Sequence, residues 1–401
     1  MTARMRRLAL VALVTIAAAV ALPAGPPAGA EEPDIPFFTV TTGGSLNQDA
    51  TNARPVVGHF TDQVFDDILW YQPGSAKESL WTPCPDCAQP FTKKQLPAAL
   101  QVSGTYQPIV ADFAGDGLDD IYWISAGPAH DYLWTNTGAG TFTSRERDQP
   151  PEESNPVVLR DSRSGDGKDD ILWTQYAGAT ARLWVFPDDG SGTARTKAFL
   201  RQPKGLPVTG DFDGNGAADI LWYPSITPCR CPVESAASAI DTLWRRPNSA
   251  SGAFTATTMN IKGEYQPIVG RFSAPNDARD DILWVGQYDL CCGPFQDRPD
   301  SLWEGRSNGG FLASTVSFPS AGGGMLLPRD GADTALVFDG AGQTRVWFDT
   351  TSGSVVSPVE SAFTTDYEPV IGRFVNADRS DVFAYYPGTK AEKLYHPRVL
   401  S

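Results

Sequence analysis

The strongest constraint on this chain is a short repeated segment, in which an aspartate is followed by two apolar or aromatic residues and a tryptophan. Five copies fit this pattern closely: Asp67–Trp70, Asp120–Trp123, Asp170–Trp173, Asp219–Trp222 and Asp281–Trp284. Two weaker copies follow at Thr334–Val337 and Asp381–Ala384. A recurrence every 40–60 residues, roughly, is typical of folds assembled from one repeated supersecondary unit.

Each copy predicts a unit of four short β-strands, with the repeated segment as the second strand. The units start near residues 55, 108, 156, 207, 267, 326 and 369. A third strand ends in an aromatic residue at Trp81, Trp134, Trp184, Trp244, Trp303, Trp347 and Tyr395. A fourth strand follows most copies, as at Phe254–Thr258. No stretch keeps a helical period over the length that a helix needs.

The last unit has no room for a fourth strand, because little chain follows Tyr395. Near the N-terminus, however, Phe38–Thr42 matches Phe254–Thr258 in residue types. An N-terminal strand that completes the last unit closes a ring and removes open sheet edges. We therefore predict an all-β fold in which residues 31–401 form a single seven-bladed β-propeller of four-stranded blades, closed by the strand at about Phe38–Thr42.

Residues 1–30 have the pattern of a secretory signal peptide. Three arginines precede an apolar run at residues 8–22, and small residues lead to a cleavage site near Ala30. The run is short for a membrane span and no comparable stretch follows, so we expect an exported protein without a membrane span. Arg6 and Arg7 leave both general secretion and twin-arginine export open.

Charge and cysteine spacing narrow the class of protein further. The formal net charge of −15 argues against nucleic acid or an anionic membrane as partner. The six cysteines form three close pairs, Cys84 with Cys87, Cys229 with Cys231 and Cys291 with Cys292. In an oxidising compartment all six are disulfide candidates before they are metal ligands, since no second metal-type pair matches Cys84 and Cys87. We expect a monomer.

The loop between the first two strands of copy four carries a pattern that suits a metal ion. Asp211, Asp213, Asn215 and Asp219 occupy positions 1, 3, 5 and 9, and the Ala217 carbonyl falls at position 7. Alternating oxygen ligands fit Ca²⁺, and intervening glycines let the backbone fold around it. The alternative is an acidic turn without metal, because Asp, Asn and Gly are common turn formers.

Two further loops keep part of this pattern. Copy two retains Asp112, Asp116, the Leu118 carbonyl and Asp120, but has alanine at position 3. In copy three, only Asp166 and the terminal Asp170 remain, and serines replace the acids at positions 1 and 3. We therefore predict one or two structural Ca²⁺ sites, in copies four and two, and regard a third as doubtful.

In other copies a potentially cationic residue stands at position 1. These residues are His59, Arg271 and Arg373, and each loop still ends in an aspartate, at Asp67, Asp281 and Asp381. We hypothesise that a tethered positive charge replaces the metal ion and neutralises this terminal aspartate through an ion pair. The alternative is a solvated arginine that contributes little.

The chain resembles the FG-GAP/VCBS repeat family, which includes the N-terminal propeller of integrin α subunits. The resemblance is carried by Gly210–Asp219 and less completely by Ala111–Asp120, within a repeat that spans the mature chain. It implies that the acidic loops bind Ca²⁺ and that ligands meet the opposite face of the disc.

Tryptophans and long insertions are the other candidates for recognition. The 11 tryptophans invite a sugar-binding interpretation, but their regular repeat positions favour packing in the core. Copies four and five carry insertions at Pro224–Asp241 and Gly286–Asp300, on the face opposite the acidic loops. Their aromatic and charged residues either line a ligand pocket or fill the loops: Arg230, Tyr288, Phe295 and Arg298. Cys229 and Cys291 lie at matching places, so disulfides between the insertions are possible pairings, and the alternative is a strained bridge between the adjacent Cys291 and Cys292. Cys84 and Cys87 favour a local loop.

These features favour a secreted, non-catalytic binding protein that recognises a carbohydrate, a cell-wall component or another protein. No catalytic residue is predicted, because the three histidines, His59, His130 and His396, share no motif and most acids are explained by turns. A polysaccharide lyase or glycosidase remains an alternative, since propellers host both and either needs only a converging acid or base pair. A purely structural envelope protein is the third possibility.

Overall fold

The structure is a computed structural model of the chain. It describes residues 38–42, 46, 48, 52–74, 77–125, 129–147, 154–160, 167–175, 180–186, 194–223, 240–247, 253–261, 265–273, 277–286, 300–316, 318, 321–330, 332–339, 344–348, 355–359, 368–388 and 392–397. Within these ranges, no helix has the length and apolar character needed to cross a membrane.

The described strands form seven four-stranded sheets, which we number in chain order. Sheet one has β2 (Arg54–Gly58), β3 (Asp67–Tyr71), β4 (Ser79–Pro83) and β5 (Phe91–Gln95). Sheet two has β6 (Tyr106–Ala111), β7 (Asp120–Ser125), β8 (Asp131–Asn136) and β9 (Phe142–Arg147). Sheet three has β10 (Ser154–Leu159), β11 (Asp170–Gln175), β12 (Thr180–Val185) and β13 (Arg195–Arg201). Sheet four has β14 (Leu206–Gly210), β15 (Asp219–Tyr223), β16 (Asp241–Arg245) and β17 (Thr255–Met259).

The remaining sheets follow the same plan. Sheet five has β18 (Tyr265–Gly270), β19 (Asp281–Gly286), β20 (Asp300–Gly305) and β21 (Phe311–Val316). Sheet six has β22 (Ala321–Leu327), β23 (Thr334–Asp339), β24 (Thr344–Phe348) and β25 (Val355–Val359). Sheet seven has β26 (Glu368–Gly372), β27 (Asp381–Tyr385), β28 (Lys393–Pro397) and β1 (Phe38–Thr42). A short 3-10 helix, Ala98–Leu100, links sheets one and two.

All pairings within the sheets are antiparallel, and the N-terminal strand lies at the edge of the last sheet. β1 pairs with β28 from Phe38 opposite Pro397 to Thr42 opposite Lys393. The first strands of sheets one to six contact each other in order, and β2 contacts both β6 and β26. The predicted all-β propeller of four-stranded blades is confirmed.

The repeated tryptophans lie in the core. The five second-strand tryptophans are at most 1% exposed. In each of these sheets the second-strand ring meets the third-strand tryptophan nearly edge to face, for example Trp70 with Trp81 at 5.3 Å and Trp284 with Trp303 at 5.5 Å between centroids. Buried edge-to-face pairs add about 0.5–1.5 kcal/mol to the apolar area they remove from water. Burial leaves the second-strand rings no face for stacking against a sugar.

Candidate cation-binding loops

The loop between the first two strands of a sheet is numbered here after its sheet, and its last residue, which begins the second strand, is called the loop-end aspartate. Loop four curls around the carboxylate of Asp211. One oxygen accepts hydrogen bonds from the amide of Asn215 at 3.0 Å and the other from Gly216 at 2.8 Å. Gly214 and Gly216 have φ of +75° and +90°, which side-chain-bearing residues rarely adopt. Position 1 therefore organises the loop itself.

Loop two repeats this geometry. Asp112 accepts hydrogen bonds from the amides of Gly115 at 2.6 Å, Asp116 at 3.2 Å and Gly117 at 2.7 Å. Asp116 in turn accepts the amide of Leu118 at 3.0 Å. The two loops that sequence analysis selected thus share one conformation, although loop two lacks an acid at position 3.

The loop-end aspartates of loops two and four are buried with one oxygen lacking a hydrogen bond. Asp219 is 0% exposed and Asp120 is 1% exposed. Oδ1 of Asp219 accepts the amide of Arg246 at 2.8 Å, and Oδ1 of Asp120 accepts the amide of Asn136 at 2.7 Å. Neither Oδ2 has a hydrogen-bond partner. A buried carboxylate oxygen in this state is costly unless a positive charge or a proton satisfies it.

The raised pKa values of Asp219 and Asp120 also indicate that each carboxyl group favours a bound cation or a proton. Burial, followed by smaller contributions from the charges of Asp213 and Asp211, raises the pKa of Asp219 to about 8. Burial, with smaller contributions from Asp112 and Asp116, raises the pKa of Asp120 to about 7. Nearby amides lower both pKa values, but by less than burial raises them. At both sites burial destabilises the ionised carboxylate, and a bound cation would instead stabilise it.

The residues of loops two and four fit a hard cation in two respects. Their donors are oxygen atoms, and each loop-end aspartate has an oxygen without a hydrogen bond that a cation could satisfy. They are not gathered around a common point, since no group of three or more His, Cys, Asp or Glu side chains in the described part of the chain is arranged to hold a metal ion. The two arginines nearest loop four pair with acids outside it, Arg246 with Asp170 and Arg279 with Asp277.

In loops one, five and seven the loop-end aspartate is satisfied by the protein itself. Asp67 accepts the amides of Phe60 at 3.0 Å and Thr61 at 2.7 Å, together with the Thr61 hydroxyl. The loop-end residues Asp281 and Asp381 each accept two amides from positions 2 and 3 of their own loops. A third group completes each, the Gly305 amide at 3.0 Å for Asp281 and His396 Nδ1 at 3.1 Å for Asp381.

The hypothesis that position 1 neutralises the loop-end aspartate is wrong. His59 lies 3.5 Å from Asp66, and Arg373 pairs with Asp330 at 3.1 Å. Burial raises the pKa of Asp333 and of Asp280, and the charge of Arg271 opposes that rise at both carboxyl groups, neither of which is the aspartate at the end of its loop. In these three loops backbone amides fill the role that we assigned to the side chains at position 1.

Sequence reasoning missed an acid that joins adjacent sheets. The residue before the loop-end aspartate accepts the amide of position 1 in the preceding loop: Asp119 from His59 at 2.8 Å, Asp169 from Asp112 at 3.2 Å, Asp280 from Asp211 at 2.8 Å and Asp66 from Arg373 at 2.8 Å. The signal was present as a recurring Asp-Asp dipeptide. The contact between Asp66 and Arg373 links sheet seven to sheet one.

On the opposite face, acids at the start of the third strand tie sheets four and five to the chain that follows each sheet. Asp300 accepts the amides of Gly286 at 2.6 Å and Phe318 at 2.8 Å. Asp241 accepts the amide of Ile261 at 2.7 Å in the same way. These buried acids are committed to structure.

The remaining candidate residues are placed only in part. Arg230, Tyr288, Phe295, Arg298, Cys229, Cys231, Cys291 and Cys292 all lie outside the described residues. Cys84 and Cys87 are joined in one turn as a disulfide, with 5.3 Å between their Cα atoms. A groove of about 660 Å³ lies along the outer strands of sheets one and two, and Lys94, Leu100 and Phe142 contribute to its lining.

Comparison with known proteins agrees with this geometry. A family model described as FG-GAP-like repeat matches residues 164–222, which run from loop three to the second strand of sheet four. No curated protein matches the chain.

Among solved structures, the chain is similar to the Photorhabdus luminescens Tc holotoxin pore (15% identity, TM-score 0.45, 90% of this chain and 14% of that chain). It is also similar to Aleuria aurantia lectin in complex with alpha-methyl-L-fucoside (8%, 0.39, 79% and 98%). A third likeness is to exo-beta-1,3-galactanase from Phanerochaete chrysosporium (11%, 0.34, 90% and 95%). All three TM-scores lie below 0.5, so these likenesses carry no information on ligand or activity.

Proposed function

We propose that this protein is an exported, non-catalytic binding module, whose propeller is stabilised by calcium and presents the face opposite the acidic loops to a ligand. The observation that carries the structural role of the metal is the unsatisfied oxygen of Asp219. It sits at the junction of two strands, where a cation stabilises the blade and no open coordination position is needed.

Calcium in loop four would be held by Asp211, Asp213, Asn215, the Ala217 carbonyl and Asp219. In loop two it would be held by Asp112, Asp116, the Leu118 carbonyl and Asp120. The ion supplies positive charge to carboxylates that burial otherwise disfavours as anions. The protein's own part is to curl each loop around its first aspartate.

We further infer that the seven sheets are the blades of one closed ring, after removal of the first 30 residues on export. The pairing of β1 with β28 and the contact of β2 with β26 support closure. A rigid ring holds its surface loops at fixed positions, which suits recognition of an extended partner.

The ligand proposed for the opposite face is a carbohydrate, a cell-wall component or a protein. Carbohydrate is the class we would test first, because the insertions in sheets four and five bring Tyr288 and Phe295 together with arginines in sequence. A binding rather than a catalytic role is supported by two acids of that face beside the insertions, since Asp241 and Asp300 are engaged by backbone amides.

The test uses residues 31–401 with calcium, applied to an array of immobilised glycans and to insoluble peptidoglycan. We expect retention on at least one of these surfaces, without release of soluble sugar. Tyr288→Ala and Arg298→Ala should reduce retention at least tenfold, whereas Thr257→Ala on the exposed outer strand β17 should not. Release of reducing or unsaturated sugar that is abolished by one acid-to-amide substitution would overturn the non-catalytic assignment. Failure to bind either surface would overturn recognition of a carbohydrate or a cell-wall component.

A further inference from the structure

Sheet three keeps its loop-end aspartate and, in sequence, Asp166 at position 5, but it lacks the acids at positions 1 and 3 that loop four has. Asp170 is 4% exposed and pairs with Leu159 at the start of the second strand. Positions 1 and 3 of its loop are serines in the sequence. A buried carboxylate is costly unless a cation or hydrogen-bond donors balance it, and one described partner of Asp170 comes from sheet four.

The guanidinium of Arg246, from sheet four, meets this carboxylate. Nη2 of Arg246 donates a hydrogen bond to Oδ2 of Asp170, and the two side chains are 12% and 6% exposed. This burial sets the pair apart from the other arginine–carboxylate pairs of the described residues, such as Arg306 with Glu304, at 43% and 28%. Buried pairs with charge-assisted hydrogen bonds are the ones whose disruption is strongly felt.

The position of Arg246 in the repeat explains how it reaches sheet three. It lies two residues after the third-strand tryptophan, and the equivalent residue of other sheets also overlies the preceding loop. Asn136 donates to the Phe60 carbonyl at 3.0 Å, and Phe186 stacks on Phe113 at 4.5 Å between centroids. Gly305 lies so close to loop four that an added Cβ would be 2.4 Å from the Phe212 carbonyl oxygen. This position is a general contact between sheets.

The backbone of Arg246 is at the same time part of loop four. Its amide donates to Asp219 Oδ1 at 2.8 Å, and its carbonyl accepts Asn215 Nδ2 at 2.8 Å. Asp219 and Asn215 are two of the residues that we expect to hold calcium. One residue therefore contacts the proposed metal loop of sheet four through its backbone and the loop-end aspartate of sheet three through its side chain.

We propose that Arg246 is the built-in cation of sheet three and couples it to the calcium loop of sheet four. Sheet three then binds no calcium, and calcium in loop four strengthens the contact between sheets three and four by fixing the backbone that carries the guanidinium. The ion-pair part stands on the observed contact alone, whereas the coupling part rests on the calcium proposed for loop four.

The ion pair is tested by a double-mutant cycle on residues 31–401, with thermal unfolding as the readout. Arg246→Met and Asp170→Asn should each lower Tm by roughly 5 °C or more, because each leaves one buried charge unpaired. The double variant should recover at least half of that loss, since no unpaired charge remains. Arg306→Met is the matched control, with a change of about 1 °C or less. Additive losses in the double variant would overturn the pairing, and Arg246→Lys provides a milder variant if Arg246→Met does not fold.

The coupling is tested by titrating CaCl₂ into the same variants with calorimetry. Arg246→Met should weaken calcium binding at one site by about fivefold or more and leave the other unchanged, because coupling between sites is reciprocal. Arg306→Met should leave both sites unchanged. Unaltered affinity in Arg246→Met would overturn the coupling. If the unmodified protein takes up no calcium, the calcium proposal fails and the coupling with it, while the cycle with Asp170 still decides the ion pair.

Discussion

Loops two and four differ from loops one, five and seven in how the buried loop-end aspartate is satisfied. In loop four, Asp219 keeps one oxygen without a hydrogen bond, whereas Asp281 in loop five accepts three backbone amides. The difference begins at position 1. Where position 1 is aspartate, the loop curls around that carboxylate, as it does around Asp211. Where position 1 is histidine or arginine, the amides of positions 2 and 3 turn to the loop-end aspartate.

The comparison teaches that one fold can satisfy a buried carboxylate in two ways. Backbone amides supply partial positive charge from the chain itself and require nothing from solution. In loops two and four the loop-end aspartate instead keeps a buried oxygen without a hydrogen bond, which a cation or a proton can satisfy. Loops one, five and seven therefore form a second type of loop, in which the protein itself satisfies the loop-end aspartate.

The largest expected effect is the change in stability on calcium removal, which should differ between the two loop types. Asp219→Asn should abolish one calcium site, and with it about 2.7 kcal/mol of stabilisation at a hundredfold excess over Kd. In EGTA the same variant should be at least as stable as the unmodified protein, because Asp219 must either take up a proton or bury a charge on folding and asparagine does neither. Denaturant unfolding with and without calcium measures both quantities. A lower stability of Asp219→Asn in EGTA would show that Asp219 resembles the amide-satisfied type.

The corresponding change in loop five should act in the opposite direction. Asp281→Asn leaves an amide group facing backbone donors, so we expect a loss of about 1–3 kcal/mol that is the same with calcium or EGTA. Asp67→Asn in loop one is the parallel variant. Denaturant midpoints at constant m-value give the comparison. A calcium-dependent loss would remove the distinction between the loop types.

A further difference lies in proton release. The pKa of Asp219 is raised from 3.8 to about 8, so the carboxyl holds a proton at neutral pH and must lose it to bind a cation. Calcium affinity at loop four should therefore rise with pH between 6 and 8, by roughly tenfold per pH unit at most. Calorimetry in buffers of different ionisation enthalpy counts the released protons. Affinity that is flat over this range would place the pKa of Asp219 well below 7.

The smallest effect concerns the residue at position 1 of the amide-satisfied loops. Arg373 pairs with Asp330, whose side chain is 67% exposed, so Arg373→Met should change stability by less than about 1 kcal/mol. The backbone amide of Arg373, which donates to Asp66, is retained in this variant. A larger loss would restore a direct role for this guanidinium in balancing a buried acid.

Much of the fold was predictable because the same residue pattern recurs in successive sheets. The aspartate–tryptophan segments located the second strands, and the likeness of Phe38–Thr42 to Phe254–Thr258 pointed to the strand that pairs with β28. The conformation shared by loops two and four followed from spacing. The partners of the Arg373 and Arg246 side chains did not, because each lies in another sheet. Sequence spacing within one repeat does not indicate which residues of the neighbouring sheet lie close.

The sequence alone determined that the chain is a repeated all-β unit, with acidic loops at fixed places and tryptophans in the core. Tertiary structure decided which charge meets which. Asp170 and Arg246 are 76 residues apart, and Asp66 and Arg373 are 307 apart, yet each pair is brought together by the contact between neighbouring sheets. Covalent spacing fixes which strands form, whereas a buried charge is balanced by whatever donor the packing brings within about 3 Å.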